Sequence, residues 1–503
     1  MTTVEKVSPE IDYTHKVGNH SSPLYLKLNP INNVQSFTSS LTSVYGPIEI
    51  LVPAKVLSLK KSKLSWDVQI PAQTTANSTY VFGQANALCQ IDRIVITSQN
   101  TNNILLDLPN LNRYASMVSP AATTFIELQN KASPGYGTTI AGTVGAAPAN
   151  YAASLNPPQF STTAAIGQQV PLEDVSRNFG IANVDGWNND TNTPFNGIRK
   201  LYSGPCNAAA NYWSFEFDLG SLQATICDLD QLLYFSGEQL LISIYFAAAN
   251  RWCFVSSSQT NPAALATTAA NNALGAANAA PIYNNINMYL YTEQNLSVST
   301  GIVEKVMRGG GLSIPFPYPF IQRQAVSSGA FSITQQLSRG FGSKLLCALT
   351  SIFNSNEVNN CAQDHSLYSL ITTNLGGGQY TLLTYNTLLD NIPILTNNNI
   401  QAFNSAAGQQ SAEHWTYNKA HLKESAIVSL PQYNVEFVHI DNFCTDPFSS
   451  IDWSCTDGLD LDAMHQFSFV AYATASQNVS NNVYIAFICQ KTLNLLPTGV
   501  QVS

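Results

Sequence analysis

Charge is what this chain of 503 residues has least of: Asp, Glu, Lys and Arg together make up 11%, against roughly 25% in an ordinary soluble domain. A long helical or coiled-coil protein is built on Glu, Lys and Arg, so that class is excluded. The 22 basic residues are outnumbered by 31 acidic ones, for a net charge of −9. A nucleic-acid binder that works by charge needs the opposite excess. Long apolar runs are missing as well. The longest, Leu240 to Ala249, is interrupted by Ser243 and falls well short of the roughly 20 residues a membrane-spanning helix requires. Residues 1–30 contain Glu5, Lys6, Glu10, Asp12, Lys16 and Lys27 and no continuous apolar stretch, so no secretory leader is expected. The nine cysteines form no CxxC and no close pair. Several sit in apolar runs, as Cys347 does between Leu345-Leu346 and Ala348-Leu349, which fits reduced, buried thiols.

Catalytic motifs are also scarce. Gly340-Phe341-Gly342-Ser343-Lys344 lacks the spacing of a phosphate-cradling loop, and there is neither a Gly-x-Ser-x-Gly elbow nor a His-Glu-x-x-His pair. Gly309–Gly311 and Gly376–Gly378 read as turns or linkers, since neither follows a strand and opens a helix. His414 and His421 are seven apart with no carboxylate or cysteine to complete a metal set, so they read as surface histidines. Asp441, Asp446, Asp452, Asp457, Asp460 and Asp462 form the densest acidic group. The stretch 457–462 lacks the alternating ligands and closing Glu of a calcium loop, and a solvated acidic loop is the expected reading. Lys60, Lys61 and Lys63 are the one local positive cluster, expected at an exposed strand end or guarding an edge. Five Asn-x-Ser/Thr sequons, at Asn19, Asn77, Asn189, Asn295 and Asn478, are what such a composition produces by chance. No catalytic, cofactor-binding or metal-ligating residue is assigned, no cofactor is expected, and the chain is not expected to be an enzyme.

What is present is period two. Leu64, Trp66, Val68 and Ile70 alternate with Ser65, Asp67 and Gln69, and Trp213, Phe215, Phe217 and Leu219 alternate with Ser214, Glu216 and Asp218. Successive strand side chains point to opposite faces, so this is the pattern of half-buried strands. Similar runs recur at 47–52, 90–97, 103–108, 240–247, 251–255, 287–293, 311–321, 330–337, 344–353, 380–383, 426–430, 433–440, 465–473 and 483–491. Many short strands between polar turns predict an all-β, antiparallel sandwich or barrel. Three short connector helices are expected: around Leu111, Tyr114, Ala115 and Val118; along Leu222, Ile226, Leu229 and Leu233 with Ser221 as cap; and around Leu367, Leu370 and Ile371. Stretches 132–168 and 259–281, rich in Ala with Gly, Thr, Asn and Pro, are expected to be long surface loops available for subunit contacts. The best domain boundary lies near residue 300. Beyond it, Pro315, Pro317 and Pro319 demand an edge strand or an extended interdomain segment, because alternate prolines cannot donate on that side. The order of events before and after this boundary is the same, which predicts a coarse duplication of one sandwich.

Three segments carry a resemblance. Leu88 to Val118 places two strands around the Ser98–Asn102 turn and runs into Leu106-Asp107-Leu108-Pro109-Asn110-Leu111-Asn112-Arg113-Tyr114. Trp213 to Trp252 contains Phe235-Ser236-Gly237-Glu238-Gln239 before a long apolar strand. Ile314 to Arg323 is followed by Arg339 to Phe353. In this order the chain resembles the double jelly-roll major capsid proteins of double-stranded DNA viruses, nearest the virophage and Polinton-like virus branch. The resemblance implies an N-terminal arm (1–30), a first eight-stranded antiparallel jelly roll with long Ala-rich loops (31–300) and a second (301–503). It implies a homotrimer of pseudo-hexameric outline tiled into an icosahedral shell, with contacts to itself and to penton and minor capsid proteins. It also implies location in the virion after synthesis in the host cytoplasm, with no sequence-specific nucleic-acid binding. The two Ala-rich stretches depart from the pattern. A carbohydrate-binding or carbohydrate-cleaving β-sandwich is the alternative, and would require a cleft with exposed Trp or Tyr and two carboxylates at hydrolytic spacing. A fibre or spike would show a strict short repeat, and there is none.

Overall fold

The computed structural model describes residues 23–71, 79–82, 90–118, 139–142, 168–171, 202–205, 211–256, 271–272, 280–354, 371–373, 379–404, 409–410, 413, 438–444, 448, 457–475 and 481–503, apart from positions 112, 115, 116, 309, 328 and 395. Eight of the strands described before residue 294 frame the first sandwich: β1 (Pro23–Leu28), β2 (Tyr45–Val52), β3 (Leu57–Ile70), β4 (Ile91–Ser98), β5 (Ile104–Pro109), β6 (Asn211–Asp218), β7 (Leu240–Phe246) and β8 (Ile282–Glu293). They form two antiparallel sheets, ordered β1-β8-β3-β6 and β2-β7-β4-β5. The second half repeats this with β9 (Leu312–Val326), β10 (Gly329–Leu337), β11 (Lys344–Asn354), β12 (Gln379–Leu389), β13 (Ile400–Gln401), β14 (Val438–Asn442), β15 (His465–Ala475) and β16 (Asn481–Leu496). Their orders are β9-β16-β11-β14 and β10-β15-β12-β13. In each half the first strand pairs with the eighth, the second with the seventh, the third with the sixth and the fourth with the fifth. This is one long hairpin wound into a two-sheet jelly roll, made twice. A last strand, β17 (Gly499–Val502), folds back on β16.

The first core forms where the inner faces of β3 and β8 meet those of β2, β4 and β7. Leu64, Trp66 and Val68 face Ile50, Ile94, Ile242 and Phe246, all buried. Trp66 meets Phe246 edge-on at 5.4 Å, and Phe246 leans on Tyr283 at 4.7 Å, separations at which ring quadrupoles attract. The indole N–H of Trp66 donates to Gln90 Oε1 at 2.9 Å, which satisfies a polar atom the core would otherwise strand.

The second sandwich is built differently. In β16 the ten residues Asn481–Gln490 are all buried. Val483, Ile485, Phe487 and Cys489 enter the core between the two sheets of their own sandwich. Tyr484, Ala486 and Ile488 point the other way, into a core continuous with the first sandwich. Neighbouring β11 follows suit. A register shift between Leu345 and Cys347 puts both Leu346 and Cys347 on the outward face, with Ala348 inward and Leu349 outward. One extra residue at a bulge is what lets two successive side chains share a face.

β9 is an edge strand, as its prolines require. It pairs with β16 without a break, Pro315, Pro317 and Pro319 lying opposite Thr492, Gln490 and Ile488. The ladder passes them uninterrupted, so Ile314, Phe316 and Tyr318 supply the backbone donors and the prolines take the positions facing the open edge. No further strand can pair there.

Several sequence expectations are corrected. Residues 23–28, read as part of the arm, form β1 and pair in register with β8 from Pro23 opposite Glu293 to Leu28 opposite Met288. The stripe Leu222, Ile226, Leu229 and Leu233 is fully buried but is not a helix. Two 3-10 turns, Leu219–Ser221 and Ile226–Asp228, flank Ala224 at φ 54°, a left-handed residue that breaks helical propagation. Thr225, whose hydroxyl accepts from Cys227 N at 3.1 Å, caps the second turn. Ile371 belongs to a short strand, Ile371–Thr373, and Leu367 and Leu370 lie outside the described residues. The connector near Tyr114 is helical at each described position from 111 to 118 except Asn112, Ala115 and Ser116, which are not described. An unexpected helix, α1 (Leu296–Met307), joins the two sandwiches. Asn295 caps it by accepting from Ser297 N and Val298 N at 3.0 and 3.4 Å. Gly301 and its β-branched residues concealed it, because both lower helix propensity. Most of 132–168 and 259–281, and the run 426–430, lie outside the described residues; within them 139–142 pairs with 168–171 and 271–272 with 255–256. No helix among the described residues is long and apolar enough to cross a membrane.

Because Phe487 fills the second core from a central strand, Phe487→Ala should destabilise the protein by about 3–5 kcal/mol. A urea-denaturation midpoint equal to that of the unmodified chain would show that this side chain is not packed as described.

Candidate assembly interface

The most consequential contact surface is the joint between the two sandwiches, where unlike faces meet. From the first come β5, the helical turn at 111–118 and the 226–228 turn. From the second comes the outer face of β9-β16-β11-β14. Leu105, on the outer side of β5, is fully buried. Tyr114 lies beside Cys347, and its hydroxyl donates to Gln223 O at 2.7 Å, holding the helical turn to the 222–226 segment. Tyr318 lies against Asp107 and near Arg93, and burial pushes its hydroxyl up to about 12. Arg93 grips Asp107 through two bonds of 2.7 and 2.6 Å, so this carboxylate arrives at the contact paired, in bidentate geometry.

At one end the joint is closed by Glu238. Its Oε1 accepts from Val500 N at 3.0 Å, and its Oε2 accepts from Thr101 N at 3.1 Å and Thr101 Oγ1 at 3.0 Å. Asn103 Nδ2 donates to Val500 O at 2.6 Å. A single carboxylate of the first sandwich thus binds β17 of the second. Burial raises the Glu238 pKa, but hydrogen bonds from Ser98, Val500 and Thr101 outweigh it and leave the value below 4.5. Gly499 makes the approach possible: at φ 136° a Cβ there would stand 2.7 Å from Glu238 Oε1, closer than any side chain tolerates.

A second polar group is sealed inside the second sandwich. His439 and Asp441 project from β14, and Tyr385 and Thr387 from β12 on the facing sheet. Tyr385 Oη is 3.2 Å from His439 Nδ1, His439 Nε2 is 3.0 Å from Asp441 Oδ1, and Thr387 Oγ1 donates to Asp441 Oδ1 at 2.8 Å. Folding therefore brings a histidine and a carboxylate together. Both are 1% exposed, so no substrate reaches them, and the group acts as a polar tie between sheets. Burial also pushes the thiols of Cys227, Cys347 and Cys489 up, that of Cys227 to about 12. These are inert, packed thiols.

The residues singled out by sequence disperse. Lys60 and Lys61 sit on a bulge of β3, where Leu59–Ser62 stands between Ser58, paired with Tyr291, and Lys63, paired with Tyr289. Lys60 pairs with Asp228 and Asp230 at 3.1 and 2.8 Å. Lys63 pairs with Glu216 at 2.8 Å. Lys61 stands over the Tyr291 ring at 5.1 Å. The cluster is thus mid-strand, not a strand end. In the acidic group Asp441 is buried while Asp460 and Asp462 are exposed, Asp462 pairing with Arg339. Asp446, Asp452, His414 and His421 lie outside the described residues. Sequence reasoning gave Glu238 no role. A lone carboxylate before an apolar strand carries no local signal of a partner 262 positions away.

Glu238 generates a pH prediction. A carboxylate whose pKa is lower folded than unfolded contributes stability above the unfolded value and loses it as pH falls toward the folded one. Melting temperature should therefore drop more steeply below pH 4.5 in the unmodified chain than in Glu238→Gln, which should be the less stable of the two at neutral pH. Parallel pH profiles in a thermal-shift series would contradict this.

No protein-family model and no curated protein matches the chain. Solved structures do. A chain of the Sputnik virophage, solved by cryo-EM, aligns over 96% of this chain and 88% of its own at a TM-score of 0.50 and 12% identity. The Faustovirus major capsid protein aligns over 94% of this chain and 90% of its own at 0.51 and 12%. With two jelly rolls in tandem and these neighbours along nearly its whole length, the chain has the double jelly-roll fold of the Faustovirus major capsid protein.

Proposed function

We propose that the chain is a major capsid protein, a structural subunit that trimerises into pseudo-hexameric capsomers and tiles an icosahedral shell. The observation that carries the reading is the asymmetry of the joint. The second sandwich buries the outer face of β9-β16-β11-β14 against the side of the first. The matching face of the first, on β1-β8-β3-β6, keeps Tyr25 46% exposed. A contact between unlike faces leaves one of each unused on every chain, and such heterologous contacts either close into rings or run on. Three chains of two sandwiches close a ring of six.

Composition supports the same reading. Where the inner joint uses Phe316, Tyr484 and Ile488, the free face offers Tyr25, Lys27, Lys61 and Ser65. That surface stays soluble before assembly and can still pair with a neighbour afterwards. Neutral Asn, Ser, Thr and Gln suit lateral contacts, since burying amides costs far less than burying unpaired charge. No reaction is assigned, and the work is interface burial. The chain's place is the virion, its partners are its own copies with penton and minor capsid proteins at special positions, and the −9 balance leaves genome packaging to others.

Purified full chain should elute as a trimer by light scattering and show hexagonal outlines in negative stain. A monodisperse monomer stabilised by sugars would overturn the reading in favour of glycan binding.

A further inference from the structure

The duplication tells more than that copies meet; it says where. Within the chain, the C-terminal end of β16 and the start of β17 abut two features of the first sandwich. One is the β4–β5 turn, with Thr101 and Asn103. The other is the segment just before β7, with Glu238. Each has a counterpart. The end of β8, followed by α1, corresponds to the end of β16. The β12–β13 turn corresponds to the β4–β5 turn, and the residues before β15 correspond to those before β7. The second-sandwich features are adjacent in the same way. Asp390 N donates to Gln466 O at 2.8 Å, just as Gln99 N donates to Gln239 O at 2.9 Å in the first.

These counterparts carry the most exposed large apolar side chains among the described residues. Leu296, the first residue of α1 and the third after β8, is 77% exposed. Ile392 in the β12–β13 turn is 69% exposed and Met464, immediately before β15, is 67% exposed. Three such side chains, one at the tail position and two at the head position of a duplicated joint, are what an interface between copies needs: apolar anchors at its centre.

We propose that Leu296 of one copy packs against Ile392 and Met464 of the next, repeating between chains the joint that links the two sandwiches within one. The occupant of the Ile392–Met464 surface is thus a second copy of this chain. The inference rests on the self-assembly reading above and adds the residues and polarity of the contact.

The test uses two full-length variants. Leu296→Asp spoils the tail and leaves the head intact, while the double variant Ile392→Asp with Met464→Asp does the reverse. All three side chains are exposed, so both variants should keep the melting temperature and circular dichroism of the parent. Each alone should be monomeric by mass photometry at concentrations where the parent is a trimer. Mixed one to one, they should form dimers and nothing larger, because one intact tail meets one intact head and the ring cannot close. Variants that still trimerise, or a mixture that stays monomeric, would overturn the placement while leaving self-assembly standing. A parent that is itself monomeric would overturn the assembly reading instead. If an aspartate variant is poorly folded, the pair Leu296→Cys and Met464→Cys replaces it. A bismaleimide cross-link between chains that each carry one introduced cysteine, absent from the parent with its nine native cysteines, supports the contact, and no such cross-link in variants that still trimerise counts against it.

Discussion

The structure turns on one sheet being buried on both faces. An ordinary antiparallel sheet packs one face and wets the other, which is why its strands alternate apolar and polar residues. The sheet β9-β16-β11-β14 has no wet face along most of its length. Its central strand sends Phe487 into one core and Ile488 into another. Burial against the first sandwich dictates what these strands hold: no Asp, Glu, Lys, Arg or His lies between Asn481 and Gln490, since an unpaired charge there would cost several kcal/mol. Where the cover ends, charge returns. Lys491 is half-buried, stacked 4.0 Å from the Tyr318 ring, and burial lowers its pKa.

Scarcity of charge takes on a structural meaning here. The lysines and arginines of the described surface are largely committed: Lys60, Lys63, Arg93, Arg251, Arg308 and Arg339 all sit in ion pairs. What repulsion remains between copies comes from the acidic excess of a chain at −9, a modest charge for its size. Control of association passes to shape and to strand edges. The prolines of β9 close one edge, and the apolar joint consumes one face. What stays open is a polar, tyrosine-bearing face and a few isolated apolar side chains, a surface that permits contact without inviting indiscriminate aggregation.

Much of the fold was legible because a strand with one apolar face writes period two into the chain. Leu64, Trp66 and Val68 announced β3, and Pro315, Pro317 and Pro319 announced an edge. The failures have physical causes. The stripe Leu222, Ile226, Leu229 and Leu233 had helical spacing because those side chains all point into the core, yet Ala224 in the left-handed region splits the backbone into two turns. α1 was hidden because its stability comes from the Asn295 cap and the burial of Val306, not from helix propensity. β1 was taken for arm because Pro23–Leu28 is short, and pairing to β8 was invisible without the partner.

The sequence by itself determined the class of structure: an all-β chain, duplicated about a boundary near 300, with a blocked edge and without a catalytic motif. Those properties follow from local rules of side-chain alternation and backbone donors, which act over a few residues. Only the tertiary structure decided which apolar face covers which, that Glu238 holds Val500, that His439 and Asp441 lie sealed between sheets, and that like parts of the two sandwiches have unlike neighbours. Periodicity records that a face avoids water; it cannot record what shields it, because that partner comes from residues hundreds of positions away and is chosen by the packing of whole sheets.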